Sequence, residues 1–321
     1  MITLPFGRIG RSCPPMLRVM GWTMRGASQV MLQNNALCGG LFFIALGVDA
    51  WLQATPQIFG AAFIGTLCAT LTAQRWVGDN EGLRQGLYGY NGCLTGIALA
   101  LFLPSTPLLW ACIPLSCAAS VGVGLALHHF LRRWRLPIFT APFVLVSWSV
   151  LLASQTFHGL HPDVAVSPAA QATSGLSSWW LLHGVFSGIS QIFLSASALS
   201  GVLMVAGLAI ASPRAALLAL GGSLCGALIA TLGGADISAV NGGLYGFSPA
   251  LTAIALGIGF TRSSLRASGY ALAGAACCTL IQGALNALLH PLPAFTMPFV
   301  ITSWLFIAAA QERQRKYRDN K

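Results

Sequence analysis

Residues 86–101 read GLYGYNGCLTGIALAL, and residues 243–258 read GLYGFSPALTAIALGI. The likeness is not confined to that block. Residues 136–143 read LPIFTAPF and residues 292–299 read LPAFTMPF, each followed at equal distance by a tryptophan, Trp148 or Trp304. Upstream, Ser28-Gln29-Val30-Met31-Leu32 matches Ser190-Gln191-Ile192-Phe193-Leu194, and Ala36-Leu37-x-Gly39 matches Ala198-Leu199-x-Gly201. Three matched blocks in one order, about 160 residues apart, make the chain two homologous halves. A period that long excludes a solenoid of short repeats. The division that follows is a first half over 1–160, a linker over 161–177 and a second half over 178–321.

Composition fixes the solvent of these halves. Of 321 residues, 55% are hydrophobic and only 7% are charged, whereas a soluble protein carries roughly a quarter charged residues. The mean hydropathy of +0.73 points the same way, and intrinsic disorder is excluded by the apolar content. The expectation is an all-α polytopic membrane protein. Apolar segments near spanning length fall at about 36–52, 57–74, 87–103, 107–131 and 136–154, and at about 197–212, 215–232, 244–260, 266–288 and 294–311. Each half thus offers five transmembrane helices. Gly, Pro, Ser and Thr recur within them, as tight packing in lipid requires.

The net charge of +10 would point to nucleic acid in a soluble chain, but here the basic residues sit at the edges of apolar runs and in the C-terminal tail. They report topology instead, because Arg and Lys mark cytoplasmic loops. Five crossings per half, starting inside, place Arg18, Arg25, Arg75, Arg84, Arg132, Arg133, Arg135, Arg214, Arg262, Arg266 and the basic tail on the cytoplasmic side. The linker, with Asp163 and no Lys or Arg, falls outside. An odd number of crossings inverts the second half relative to the first, an inverted-topology repeat about an axis in the membrane plane. Both termini are expected in the cytoplasm, in a multi-pass protein of the cell (inner) membrane. No signal peptide is expected, since Arg8, Arg11 and Arg18 interrupt the N-terminus.

Two stretches, about 18–34 and 180–196, are too short or too polar to span alone, and each carries one of the matched glutamines, Gln29 or Gln191. We read both as re-entrant pore helices entering from opposite faces. The seven acids lie near segment ends, in loops or in the tail, so no ionisable group stands in mid-membrane to couple transport to protons or sodium. The nine cysteines form no C-x-x-C and stand beside no histidine at zinc-like spacing, and no nucleophile pairs with a base. The expectation is therefore no enzyme, no metal and no cofactor. A polar, uncharged lining suits passive conduction of a small neutral solute. The sharpest candidates are Thr140 and Thr296. Each is flanked by two prolines, which remove backbone donors and free carbonyls upstream, and each adds a hydroxyl that both donates and accepts.

The doubled LPxxTxPF, the doubled GLYGY/F…L block and the Q-V/I-x-L segments together resemble the bacterial urea transporter family, a family of urea channels, over nearly the whole chain. The resemblance implies a homotrimer with one pore in each protomer, and a narrow slot with outer, middle and inner urea positions. By motif it assigns Thr140 and Thr296 to the middle site, Tyr90 and Phe247 to an aromatic pair flanking the slot, and Leu94 and Leu251 to an aliphatic pair one turn on. Gln29 and Gln191 fall at its two ends, with Leu32 and Leu194 as neighbouring wall positions. Urea and the lipid bilayer are the implied partners. An ion-coupled secondary transporter of an amide-like solute, or a channel for ammonia or water, is the alternative. A carboxylate in mid-membrane would favour the first and a histidine pair there would mark an ammonium path.

Overall fold

The structure is a computed structural model that describes residues 14–160, 179–259 and 265–319. Those residues form helices joined by short turns, with no strand among them. The first half runs α1 (Pro15–Gln29), α2 (Ala36–Leu52), α3 (Pro56–Val77), α4 (Glu81–Arg84), α5 (Gly89–Phe102), α6 (Pro107–Leu131) and α7 (Ala141–Ser154). The second runs α8 (Trp180–Ser190), α9 (Ala198–Ala211), α10 (Pro213–Leu232), α11 (Ile237–Asn241), α12 (Phe247–Ile254), α13 (Leu265–Leu289) and α14 (Met297–Asp319). Each element of one half has a counterpart in the other, in the same order. The linker 161–177, Arg8, Arg11, Cys13, His161, Arg262 and Lys321 lie outside the described residues.

The helix ends follow local chemistry. Asn35 caps α2 by accepting from the amides of Leu37 and Cys38, and Thr106 and Ser212 cap α6 and α10 in the same way. Proline opens α3, α6 and α10, where its missing N–H costs nothing. Helices α3, α6, α10 and α13 are long and apolar enough to cross a membrane, while α2, α5, α7 and α12 are shorter apolar helices. The 22 residues of α3, at about 1.5 Å each, cover the ~30 Å of a bilayer core. The protein is thus an all-α polytopic membrane protein.

Several expected segments are altered in a consistent way. The segments 136–154 and 294–311 are not helical throughout: the Leu-Pro-x-Phe stretches are unwound, and helix begins only at Ala141 and Met297. Pro142 and Pro298 then stand at helix starts, so neither kinks a helix nor strips a carbonyl of an intrahelical bond there. The α14 helix also runs past 311 to Asp319, so that Arg313 and Arg315 of the expected tail are helical. The segment 244–260 is divided between α12 and a π-helical turn, Ala255–Gly259.

Packing repeats as the elements do. Helix α3 lies on α5 and α10 on α12, while α1 crosses α2 and α8 crosses α9. A Cβ added at Gly39 would strike the Met24 carbonyl, and one added at Gly201 the Phe186 carbonyl, so both crossings depend on the missing side chain. Gly86 and Gly243, before α5 and α12, have φ of +78° and +80° and lie against the backbones of Arg25–Gly26 and Ser187–Gly188. Between the halves, α2 packs on α9, with Ser200 donating to the Ala45 carbonyl at 3.0 Å and the Phe42 and Phe193 rings edge to face at 5.4 Å. One continuous hydrophobic core spans both halves.

Candidate functional site

The two pore-helix candidates end alike. Gln29 is the last residue of α1, and Gln191 directly follows the last residue of α8. In each, the chain then reverses through a residue of positive φ, Leu32 at +60° and Leu194 at +58°. A branched side chain rarely adopts that conformation. The second copy bends by 75° between Trp180–Phe193 and Ala198–Ala211, as a broken span or a re-entrant loop does. Ser28 and Ser190 hold the reversals, donating to the carbonyls of Gln33 at 2.7 Å and Ser195 at 2.8 Å. The carboxamides are fixed too: Gln29 Nε2 donates to the Gln85 carbonyl at 2.9 Å, and Gln191 Nε2 to the Gly242 carbonyl at 3.0 Å. One of the two N–H donors of each carboxamide is therefore occupied, which fixes the group and leaves its carbonyl oxygen and second N–H.

The unwound Leu-Pro-x-Phe stretches meet at the centre. Phe139 and Phe295 have φ of +47° and +48°, which turns each chain sharply into the following threonine. Thr140 and Thr296 are buried, and their Oγ1 atoms are 2.6 Å apart. Each stretch is clasped by the other half. Trp148 Nε1 donates to the Pro293 carbonyl at 2.8 Å, and Trp304 Nε1 donates to the Pro137 carbonyl at 2.7 Å. The aromatic rings interlock as well, with Phe139 against Phe299 at 4.8 Å and Phe143 against Phe295 at 5.0 Å.

Leu94 and Leu251 are fully buried in the shared core, and Tyr90 and Phe247 nearly so. Leu32 and Leu194 are half-buried against the same core. A cavity of about 670 Å³ brings together Gln29, Leu32, Tyr90 and Phe139 of the first half with Ile254 and Ile258 of the second. Thr140, Thr296, Leu94, Leu251, Gln191, Leu194 and Phe247 do not line it. Its polar lining includes Asn91, Ser120 and His128, and its charged lining is basic: Arg132 and Arg135. None of the acids among the described residues lines it. Among the described residues no cluster of His, Cys, Asp or Glu is built to hold a metal.

Four contacts around the site were not read from the sequence. The tryptophans gave a signal, their equal spacing after each motif, but nothing in the pattern said that they bond across the halves. The Tyr90 hydroxyl, which donates to the Phe139 carbonyl at 2.5 Å, showed in the sequence as a departure from Phe247 of the second copy, but nothing there named its acceptor. Asp49, near the end of α2, accepts from Ser195 Oγ at 2.7 Å and so ties α2 to the second reversal; its place near a segment end hid that contact.

A helical protein that sets two copies of one polar motif face to face, inside a core long enough to span a bilayer, is of the polytopic transporter class. The family profile described as urea transporter matches residues 20–311. The chain is 30% identical over 319 residues to urea transporter 1 of Rattus norvegicus, covering 95% of this chain and 80% of that protein. It is 30% identical over 316 residues to urea transporter 1 of Mus musculus and 28% identical over 318 residues to that of Ovis aries, with the same coverage of each. The chain belongs to the urea transporter family, whose members are transporters and not enzymes.

Proposed function

We propose that this protein conducts urea passively across the membrane through a slot between its two halves. The observation that carries the reading is the contact between Thr140 and Thr296, which joins residues far apart in sequence at the point where the repeats meet. Urea is flat, with four N–H donors and one carbonyl acceptor. A slot walled by Tyr90, Phe247, Leu94 and Leu251 admits that plane, and oxygens along one edge replace the water its N–H groups lose. Each such bond is individually modest, yet a missing one leaves a buried donor at a cost of about 1–3 kcal/mol. The row is therefore nearly continuous: the glutamine carbonyls at Gln29 and Gln191, and the threonine hydroxyls between them. A monovalent ion finds no compensating charge in that row and faces a desolvation penalty.

The halves are an inverted repeat of five spans and one re-entrant helix each, with the shorter apolar helices completing their spans through the unwound stretches. Both termini are cytoplasmic, and the protein is a homotrimer of the cell membrane with one pore in each protomer, as the family resemblance implies. Stopped-flow urea flux into proteoliposomes tests the reading. Flux follows the urea gradient and is indifferent to pH gradients and membrane potential. Accumulation against a gradient, driven by protons or sodium, would overturn it.

A further inference from the structure

The two copies of the motif differ in one respect that bears on the solute. In the first copy the Phe139 carbonyl is occupied twice: it accepts from Tyr90 OH at 2.5 Å and from Asn91 Nδ2 at 3.4 Å. Asn91 is itself held, since its Oδ1 accepts from the Phe143 amide at 3.1 Å. In the second copy the counterparts are Phe247, which has no hydroxyl, and Ser248, which is too short to imitate an amide. No hydrogen bond reaches the Phe295 carbonyl among the described residues, although Phe295 is buried. Ser248 Oγ is buried and has no hydrogen-bond partner either. Native proteins rarely leave such groups unmet, and a ligand that visits the site is one reason they do.

We infer that Tyr90 makes the path one-sided: it withdraws the Phe139 carbonyl from the solute and leaves the Phe295 carbonyl, with Ser248 Oγ, as the open hydrogen-bonding corner for a planar amide. The inference rests on the urea conduction proposed above. A carbonyl oxygen offers two lone pairs. At Phe139 both are directed at side chains of this chain, so a passing N–H finds no acceptor there. At Phe295 both are available, one residue before the Thr296 hydroxyl. An amide solute is thus bound by the threonine pair and the Phe295 side together, and it slides past the Phe139 side against an aromatic face. Tyr90 lines the 670 Å³ cavity, so solute entering from that end meets the capped carbonyl first. Tyr90 acts through the Phe139 carbonyl and is a positioning residue.

The test exchanges the asymmetry. Tyr90→Phe keeps the ring and frees the Phe139 carbonyl; Phe247→Tyr carries the missing hydroxyl to the other copy. Urea flux in proteoliposomes, measured over a range of urea concentration, gives the half-saturating concentration separately from the maximal rate. Tyr90→Phe lowers the half-saturating concentration by roughly two- to tenfold, the worth of one added hydrogen bond. Phe247→Tyr raises it by a similar factor, and the double variant returns toward the parent. Ser248→Ala, which removes an unmet hydroxyl and keeps the fold, raises the half-saturating concentration as well. A merely structural role for these residues moves the maximal rate or the melting temperature without opposite shifts in half-saturation, and that result would overturn the inference. So would a Ser248→Ala variant more stable than the parent and unchanged in half-saturation. A parent that conducts no urea overturns this inference and the functional reading together; a conducting parent with variants that do not diverge overturns this inference alone.

Discussion

Replacing Thr140 or Thr296 by valine keeps the branched shape and removes one of two hydroxyls that lie 2.6 Å apart. The pair holds two protons and uses one between its own oxygens, so one O–H and several lone pairs face a solute at the same position. With valine on one side, the surviving threonine loses its partner and the solute loses one contact. A net hydrogen bond to a neutral group is worth about 0.5–1.5 kcal/mol, which corresponds to a roughly two- to twelvefold slower flux. The second valine removes a hydroxyl already without its partner. The double variant therefore falls short of the product of the two singles, as contacting residues do. Thr→Ser at either position retains most of the flux because the hydroxyl survives. Stopped-flow light scattering on proteoliposomes reads the parent and its five variants against protein-free vesicles. The reasoning fails if both folded single valine variants conduct urea like the parent, or if the double variant loses the full product of the single losses.

The indole contacts give an equal pair of expectations. Trp148→Phe and Trp304→Phe each leave a half-buried prolyl carbonyl without its donor and lower stability by about 1–3 kcal/mol, alike for both because the bonds are 2.8 and 2.7 Å, as seen in thermal unfolding in detergent. Gly86→Ala and Gly243→Ala abolish assembly, since φ is positive and the new Cβ meets backbone; Gly78→Ala, at φ +74° in open space, costs only the strain of its conformation, and expression with size-exclusion chromatography separates the two classes. Thr156→Cys, exposed after α7, reacts with an impermeant maleimide added outside intact cells, whereas labelling only from the inside would reverse the topology.

Much of the helical frame was legible because burial in lipid leaves long apolar runs with plain ends. The α2 and α6 helices occupy 36–52 and 107–131 as read, each opened by a polar cap in Asn35 or Thr106. The motif itself was legible as a repeat and misread in its conformation. A proline inside an apolar run signals a kink, yet the chain here stops being helical before Phe139 and Phe295, because the cross-half indole bonds hold the unwound backbone. That support comes from 145 and 167 residues away, and no local pattern encodes it. The positive φ of Leu32, Leu194, Phe139 and Phe295 is hidden for the same reason, since nothing in the preferences of leucine or phenylalanine announces it. The candidate residues Thr140 and Thr296 were found because duplication marked them. The Tyr90 contact was missed because it breaks the duplication.

The indole of Trp304 also sets an order of events during biosynthesis. Pro137 leaves the ribosome 167 residues before the tryptophan that bonds its carbonyl. At roughly 5–20 residues per second, the interval is on the order of ten to thirty seconds. Throughout it the first Leu-Pro-x-Phe stretch lacks the bond that clasps it, which comes only with α14. A chain that stops before Trp304 has the first motif complete in sequence but lacks the donor that holds the Pro137 carbonyl.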